Sequence, residues 1–205
     1  MTTAANDFLP EGYETPESAG NYMKFETGDN ELRILSKAVM GWMYWSKDSK
    51  PVRLEFDPAG KPDIDKSLIK PDKQGRQDLK FFWALVVYNY KLEAIQILEI
   101  PQVSILKPIE DYAKSPKWGS PFKYDLNIKK SIDGDRTNYM VTANPPTPVS
   151  EAVKAAFIAK GKINLAALFN AGDPFAPVPG AEPEAPKVPA AEADPIGAPT
   201  DDLPF

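Results

Sequence analysis

Aromatic rings and cations alternate along the middle of this chain. Trp42, Tyr44 and Trp45 fall within four residues and are flanked by Lys37 and Lys47. Phe81, Phe82 and Trp83 follow Arg76 and Lys80, and Tyr88 and Tyr90 precede Lys91. Lys129, Lys130 and Arg136 surround Asp133-Gly134, with Tyr139 nearby. Flat rings stack on nucleobases at ~1–3 kcal/mol each, and Lys or Arg neutralise phosphates, so the chemistry on offer is the holding of a single nucleic-acid strand. Covalent chemistry is poorly served. The chain has no Cys and no His, which removes thiolate and imidazole catalysis, disulfides and the usual zinc sites. It also has no Gly-rich phosphate loop. A non-enzymatic protein without cofactor or metal is expected.

Each ring and cation also has a structural role open to it. In a small β domain Phe81, Phe82 and Trp83 belong to the core more readily than to a binding platform. Period two places Trp42 and Tyr44 on one face of a strand and Trp45 on the other, and one of those faces must be core. Tyr88 and Tyr90 share a face near a strand end and are the better stacking candidates. Arg33, Lys37 and Arg53 alternate with apolar residues and are expected to face outward along a phosphate track. Lys129 and Lys130 serve equally well as a solvated edge. The candidate DNA-binding set is therefore Arg33, Lys37, Trp42, Tyr44, Trp45, Arg53, Lys80, Tyr88, Tyr90, Lys129, Lys130 and Arg136.

Charge is unevenly spread. The chain has 24 basic and 29 acidic residues, a net −5. Residues 1–23 carry four acids and no base, and residues 171–205 carry seven acids and one base, so residues 24–170 hold 23 bases and 18 acids, or +5. A basic body between acidic ends points to a polyanionic partner and to a tail able to compete for the same surface.

Several elements can be read directly. Residues 31–36 (Glu-Leu-Arg-Ile-Leu-Ser) and 51–56 (Pro-Val-Arg-Leu-Glu-Phe) alternate as half-buried strands. Val39 to Trp45 is β-rich, with Gly41 marking a bulge or bend. Residues 57–78 form a long polar insertion carrying Lys61, Lys66, Lys70, Lys73 and Arg76, which would either close over a bound strand or stay solvated. Leu79 to Tyr90 is apolar on both faces and predicts a central strand, with residues 91–100 as its hairpin partner. Pro101 opens a helix to about residue 114, interrupted by Pro108. Residues 122–132 and 137–143 predict a hairpin around Asp133-Gly134. Thr147 as N-cap and Pro148 at the first helical position predict a helix to Lys160, with Gly161 as its C-cap. A short helix is expected over 162–169.

Nine of the 22 prolines lie in 171–205, which reads as an extended acidic tail. The expected organisation is a loose arm over 1–22, a domain over 23–170 and a disordered tail over 171–205. The expected fold is mainly β: an elaborated five-stranded oligonucleotide-binding (OB) barrel with an inserted helix and C-terminal helices, with a β-sandwich as second choice.

The order Leu32-Arg33-Ile34-Leu35-Ser36, Gly41-Trp42-Met43-Tyr44-Trp45, Phe82-Trp83-Ala84-Leu85-Val86-Val87-Tyr88-Asn89-Tyr90 and Trp118-Gly119-Ser120-Pro121 is similar to that of phage single-stranded DNA-binding proteins, which include the T-even helix-destabilising protein. The resemblance implies an OB barrel that coats single strands in replication, recombination and repair, and an acidic tail that recruits replication proteins. The zinc site of the T-even protein has no counterpart here, and cooperative self-association is left open. The last five residues, Asp201, Asp202, Leu203, Pro204 and Phe205, resemble the C-terminal tip of bacterial and phage single-stranded DNA-binding proteins. Phe205 would fill an apolar pocket whose basic rim holds the carboxylates. A protein-binding replisome or recombination adaptor is the alternative, and an annealing recombinase a third possibility. No run of about 18 apolar residues predicts a membrane span, and Met1 to Asp7 lacks the features of a signal peptide, so a cytoplasmic location is expected.

Overall fold

The computed structural model describes residues 20–72 and 74–176. Most of the expected N-terminal arm, Lys73, and the tail from Pro177 onward, including the Asp201–Phe205 tip, lie outside the described residues. The fold is mainly β, built on one seven-stranded antiparallel sheet. In chain order its strands are β1 (Glu31–Ile34), β2 (Val39–Trp45), β3 (Pro51–Glu55), β4 (Lys80–Asn89), β5 (Ala94–Ile100), β6 (Asp125–Asp133) and β7 (Arg136–Ala143), with α1 (Val103–Lys114) between β5 and β6 and α2 (Glu151–Lys160) after β7.

The central element is β4, as its double-sided apolar sequence predicts. One edge pairs with β5 from Trp83 to Asn89. The other edge serves two strands end to end: β1 against Val87–Asn89 and β2 against Lys80–Ala84. The join between β1 and β2 stays bonded to β4, because Leu35 N–H donates to Val86 O (2.9 Å) and the Ser36 hydroxyl accepts from Val86 N–H (2.9 Å). β3 extends the sheet beyond β2, and β6 and β7 extend it beyond β1, giving the order β3-β2-β4-β1-β6-β7. Among the described residues no strand pairing joins the two ends, so the sheet is open. The mainly β expectation holds, while closure into a five-stranded barrel is not seen among the described residues: β3 adds a strand, and β4 is long enough to carry two partners on one edge.

Side-chain alternation gives the sheet two buried faces. Leu32, Ile34, Leu85, Val87, Leu98, Ile100, Leu126 and Ile128 point to one side and pack under Ile105, Leu106 and Ile109 of α1. Phe82, Ala84, Val86, Tyr88, Ile95 and Ile97 point to the other and meet Val153 of α2 with Leu165 and Leu168 of the following 3-10 turn, Leu165–Asn170. Each layer stabilises the fold by removing apolar surface from water, at ~25 cal/mol per Å2.

Details of the boundaries differ from the expectation. Ser150, not Thr147, caps α2, its hydroxyl accepting from Val153 N–H at 3.3 Å, and the helix starts at Glu151 rather than at Pro148. Gly161 ends it with a positive φ of 76°. The domain also runs past residue 170. Asn164 N–H donates to Pro174 O (2.8 Å), Pro174 is buried, and Phe175 packs against the α2-side core with Lys160 Nζ 4.7 Å from its ring centroid. At the other end Asn21 and Met23 bond the outer edge of β5 at Ile97, so residues 20–22 belong to the fold. Among the described residues no helix is long and apolar enough to cross a membrane.

Candidate nucleic-acid interface

β2 presents its aromatic residues to opposite sides. Trp42 pairs in register with Phe81 and Leu54 and lies on the α1 side. There it meets Phe81 edge to face at 5.2 Å, Phe81 meets the half-exposed Phe56 at 6.0 Å, and Lys61 Nζ stands 5.6 Å from the Trp42 ring centroid. Trp45 shares the side of Met43, beyond the reach of the α2-side cover, and is 52% exposed. Gly41 makes the packing of this strand possible. A Cβ there would lie 2.0 Å from Leu54 O and 3.2 Å from the Phe169 ring, so β2, β3 and the C-terminal 3-10 turn close on a position that only glycine fits.

The 57–78 insertion is built rather than merely solvated. Ile69 is buried and bridges Ser46, and Lys70 N–H donates to Trp45 O at 2.7 Å. Asp65 closes a small turn by accepting from Ser67 N–H and Oγ–H. Asp72 closes another, accepting from the backbone N–H of Gln74 and Arg76 and from Arg76 Nε. Those bonds, the Arg76 backbone N–H first and its guanidinium second, hold the Asp72 carboxyl below its ordinary range. Lys70 Nζ donates to Ser49 Oγ at 2.7 Å, tying the insertion to the β2–β3 turn.

The result is a shallow cleft of about 110 Å3 lined by Met43, Tyr44, Trp45, Ile69, Lys70, Asp72, Arg76, Asp78, Lys80 and Pro101. It joins Tyr44 and Trp45 on β2 to Lys70, Arg76 and Lys80, delivered by the insertion and by the start of β4, together with two carboxylates, Asp78 and the Asp72 that pairs with Arg76 at 2.8 Å. Tyr44, Trp45 and Lys80 belong to the sequence-derived set. Lys70 was visible only as a member of a basic insertion and Arg76 only as a cation of that insertion ahead of Phe81, because their sequence distance from Trp45 hides their proximity. Among the described residues no group of three or more carboxylates could hold a metal ion.

Other members of the set lie elsewhere, and several are corrected. Arg33 does not face out; it is 1% exposed. Its Nε bonds Asp125 Oδ1, and its terminal nitrogens donate to Phe122 O, Thr147 O and Thr147 Oγ1. The reason is its place on β1, a central strand whose second face is covered by the chain entering α2. Arg53 is also committed, with two nitrogens on the Glu99 carboxylate at 2.8–3.1 Å and little exposure. Tyr88 is buried in the α2-side core and so does not offer the stacking face expected of it, and the half-buried Tyr90 gives its hydroxyl to Asp125 (2.8 Å). The two rings instead meet edge to face at 5.1 Å. Of the strand starting at Lys80, Phe82 is fully buried and Phe81 and Trp83 half-buried, in keeping with a core role.

Lys37 is exposed in the β1–β2 connection. Lys129, Lys130 and Arg136 sit on the β6–β7 hairpin. Lys129 and Arg136 are exposed, while Lys130 Nζ donates to Phe25 O at 2.9 Å.

Comparison with protein-family models, with curated proteins and with solved structures finds no match.

Proposed function

We propose that the chain is a non-catalytic protein that binds single-stranded DNA without sequence preference, in phage-type replication, recombination or repair. The observation that carries this reading is the cleft in which Tyr44 and Trp45 meet Lys70, Arg76 and Lys80. Stacking surface and phosphate-neutralising charge side by side are what a sequence-tolerant single-strand site requires.

The strand order supports an OB-like architecture within this proposal. β1 with β2 corresponds to the long bent first strand, β4 and β5 to the second and third, α1 to the helix that follows, and β6 and β7 to the last two. The antiparallel pairing of β1 with β6 is the first-to-fourth contact of such a barrel. In that correspondence the 46–79 region is the loop between the first and second strands. The β6–β7 turn, with Lys129 and Arg136, is the loop between the fourth and fifth. These are the two loops that grip oligonucleotides in OB domains. The outer face of β4 and β5 is occupied by α2 and the 3-10 turn, which shifts binding toward the loops. The Asp201–Phe205 tip is assigned to recruiting replication proteins.

Titrating Trp fluorescence with oligo-dT at two salt concentrations tests the proposal. Quenching at low salt with affinity falling steeply as salt rises is expected, since bound phosphates release counterions. Changing Lys70 or Lys80 to Gln should each lower the slope of log affinity against log salt by about 1. Absence of quenching at low salt would sink the proposal. Deleting residues 196–205 should leave or raise DNA affinity, and a large loss would reverse the roles given to body and tail.

A further inference from the structure

The α1 side of the molecule carries a second aromatic site that the DNA proposal does not use. Pro108, Asp111 and Tyr112 on α1 and its C-cap Ser115 stand at i, i+3, i+4 and i+7 and so form one stripe of the helix surface. With Trp118 they line an open depression of about 400 Å3. Tyr112 and Trp118 meet edge to face at 5.5 Å, and both lean on the buried Tyr124, at 6.3 and 5.7 Å, which holds the pair rigid. Lys117 Nζ lies 5.6 Å from the Trp118 ring centroid, and Asp111 is 62% exposed, with Lys107 Nζ 3.4 Å from its Oδ1. Grooves walled by Tyr and Trp receive extended proline-rich segments, whose rings lie between the aromatic faces and whose conformation is already ordered before binding.

The chain itself carries a segment of this chemistry. Pro183-Glu184-Ala185-Pro186-Lys187-Val188-Pro189 has proline at every third position. A polyproline II helix has three residues per turn, which puts the three prolines on one edge, ~9 Å apart. The α1 stripe from Pro108 to Ser115 is ~10 Å long at the helical rise per residue, so one proline repeat spans it. The charges match on both sides: Lys187 suits Asp111, and Glu182 and Glu184 suit Lys117.

We propose that residues 183–189 of one copy dock as a polyproline II segment in the Pro108–Tyr112–Trp118 groove of a second copy. The second copy is favoured by reach. The last described residue, Ala176, follows Phe175 on the α2 side of the sheet, whereas the groove opens on the α1 side. Seven residue steps from Ala176 to Pro183 cover at most ~25 Å, and a path inside one molecule must pass two layer spacings of roughly 10 Å each, which leaves ~5 Å for the lateral detour around the sheet edge. Groove and ligand are different surfaces, so the contact is head-to-tail and can repeat from copy to copy.

Analytical ultracentrifugation of the full chain, without nucleic acid, tests this. The wild-type chain should associate beyond the dimer as concentration rises. Replacing Pro183, Pro186 and Pro189 together by Ala, or Trp118 by Ala, should abolish association. An equimolar mixture of those two variants should form dimers and nothing larger, because it holds one intact groove and one intact ligand. The surface change Asp111→Lys, which removes no packed ring, should weaken association, and Lys187→Glu in the same chain should restore it. A wild-type chain that stays monomeric, a triple-proline variant that associates normally, or a mixture that does not dimerise would each overturn the proposal. So would a Trp118 indole resonance that depends on the three prolines but not on concentration, which would place the contact within one molecule.

Discussion

Arg33 Nε lies 2.5 Å from Asp125 Oδ1, on neighbouring strands and directly opposite in register. The same guanidinium reaches Phe122 and Thr147, so one buried cation joins β1, β6, the turn before β6 and the chain leaving β7. Removing one partner of a buried, hydrogen-bonded ion pair leaves the other uncompensated, at a cost of ~3–5 kcal/mol. Arg33→Ala should lower the unfolding free energy by an amount in that range, and Arg33→Lys should recover only part, because a compact ammonium lacks the planar five-donor fork that reaches four acceptors on three residues. If urea unfolding shows Arg33→Ala to be neutral, the network has no stabilising role.

Tyr90 donates its hydroxyl to the same carboxylate. Burial first, then that hydrogen bond and the Asp125 charge, push its phenol up to about 12 from the ordinary 10.0. A folded-state value raised above the unfolded one means that the neutral phenol is favoured by folding. The contribution is complete below pH ~10 and is lost as pH climbs from there toward 12. Tyr90→Phe should therefore be less stable than wild type at neutral pH and should lose less between pH 10 and 12. Equal loss in both proteins, followed by circular dichroism, would contradict this.

Trp45 and Trp42 should separate binding from folding. Trp45 is 52% exposed in the cleft. Trp45→Ala should cost ~1–3 kcal/mol of single-strand affinity and change stability by no more than about 0.5 kcal/mol. Trp42 is half-buried against Phe81, so Trp42→Ala should chiefly lower stability, by roughly 3 kcal/mol, near the lower end for large-to-small core changes. Paired oligo-dT titrations and urea melts read the two effects separately.

Gly41→Ala places a methyl group 2.0 Å from the Leu54 carbonyl oxygen. The obstacle is backbone rather than a side chain able to turn aside, so a loss of ~1–3 kcal/mol or more is expected. A thermal midpoint equal to that of wild type would show that β2 and β3 can separate without cost.

Much of this protein was legible from residue order alone. Strict alternation at 31–36 and 122–132, the double-sided apolar run at 79–90, and Asp133-Gly134 and Gly161 at chain reversals each depend on contacts a few residues long. The strands, the hairpin and the helix end therefore stand near their expected places. The split of Trp42 from Trp45 also follows from the two-residue period of a strand.

Only the tertiary structure decided which face of each strand meets water. Alternation says that Arg33 and Leu32 point apart; it cannot say that both sides of β1 are covered, because the second cover is the chain entering α2, more than a hundred residues away. Arg33 and Arg53 were thereby taken from an outward track, and Tyr88 from a stacking face, into covered positions. The same long-range packing brought Lys70 and Arg76 to Trp45 through the Ser46–Ile69 bridge. Local sequence sets what each residue can do, whereas burial and proximity are properties of the whole folded chain.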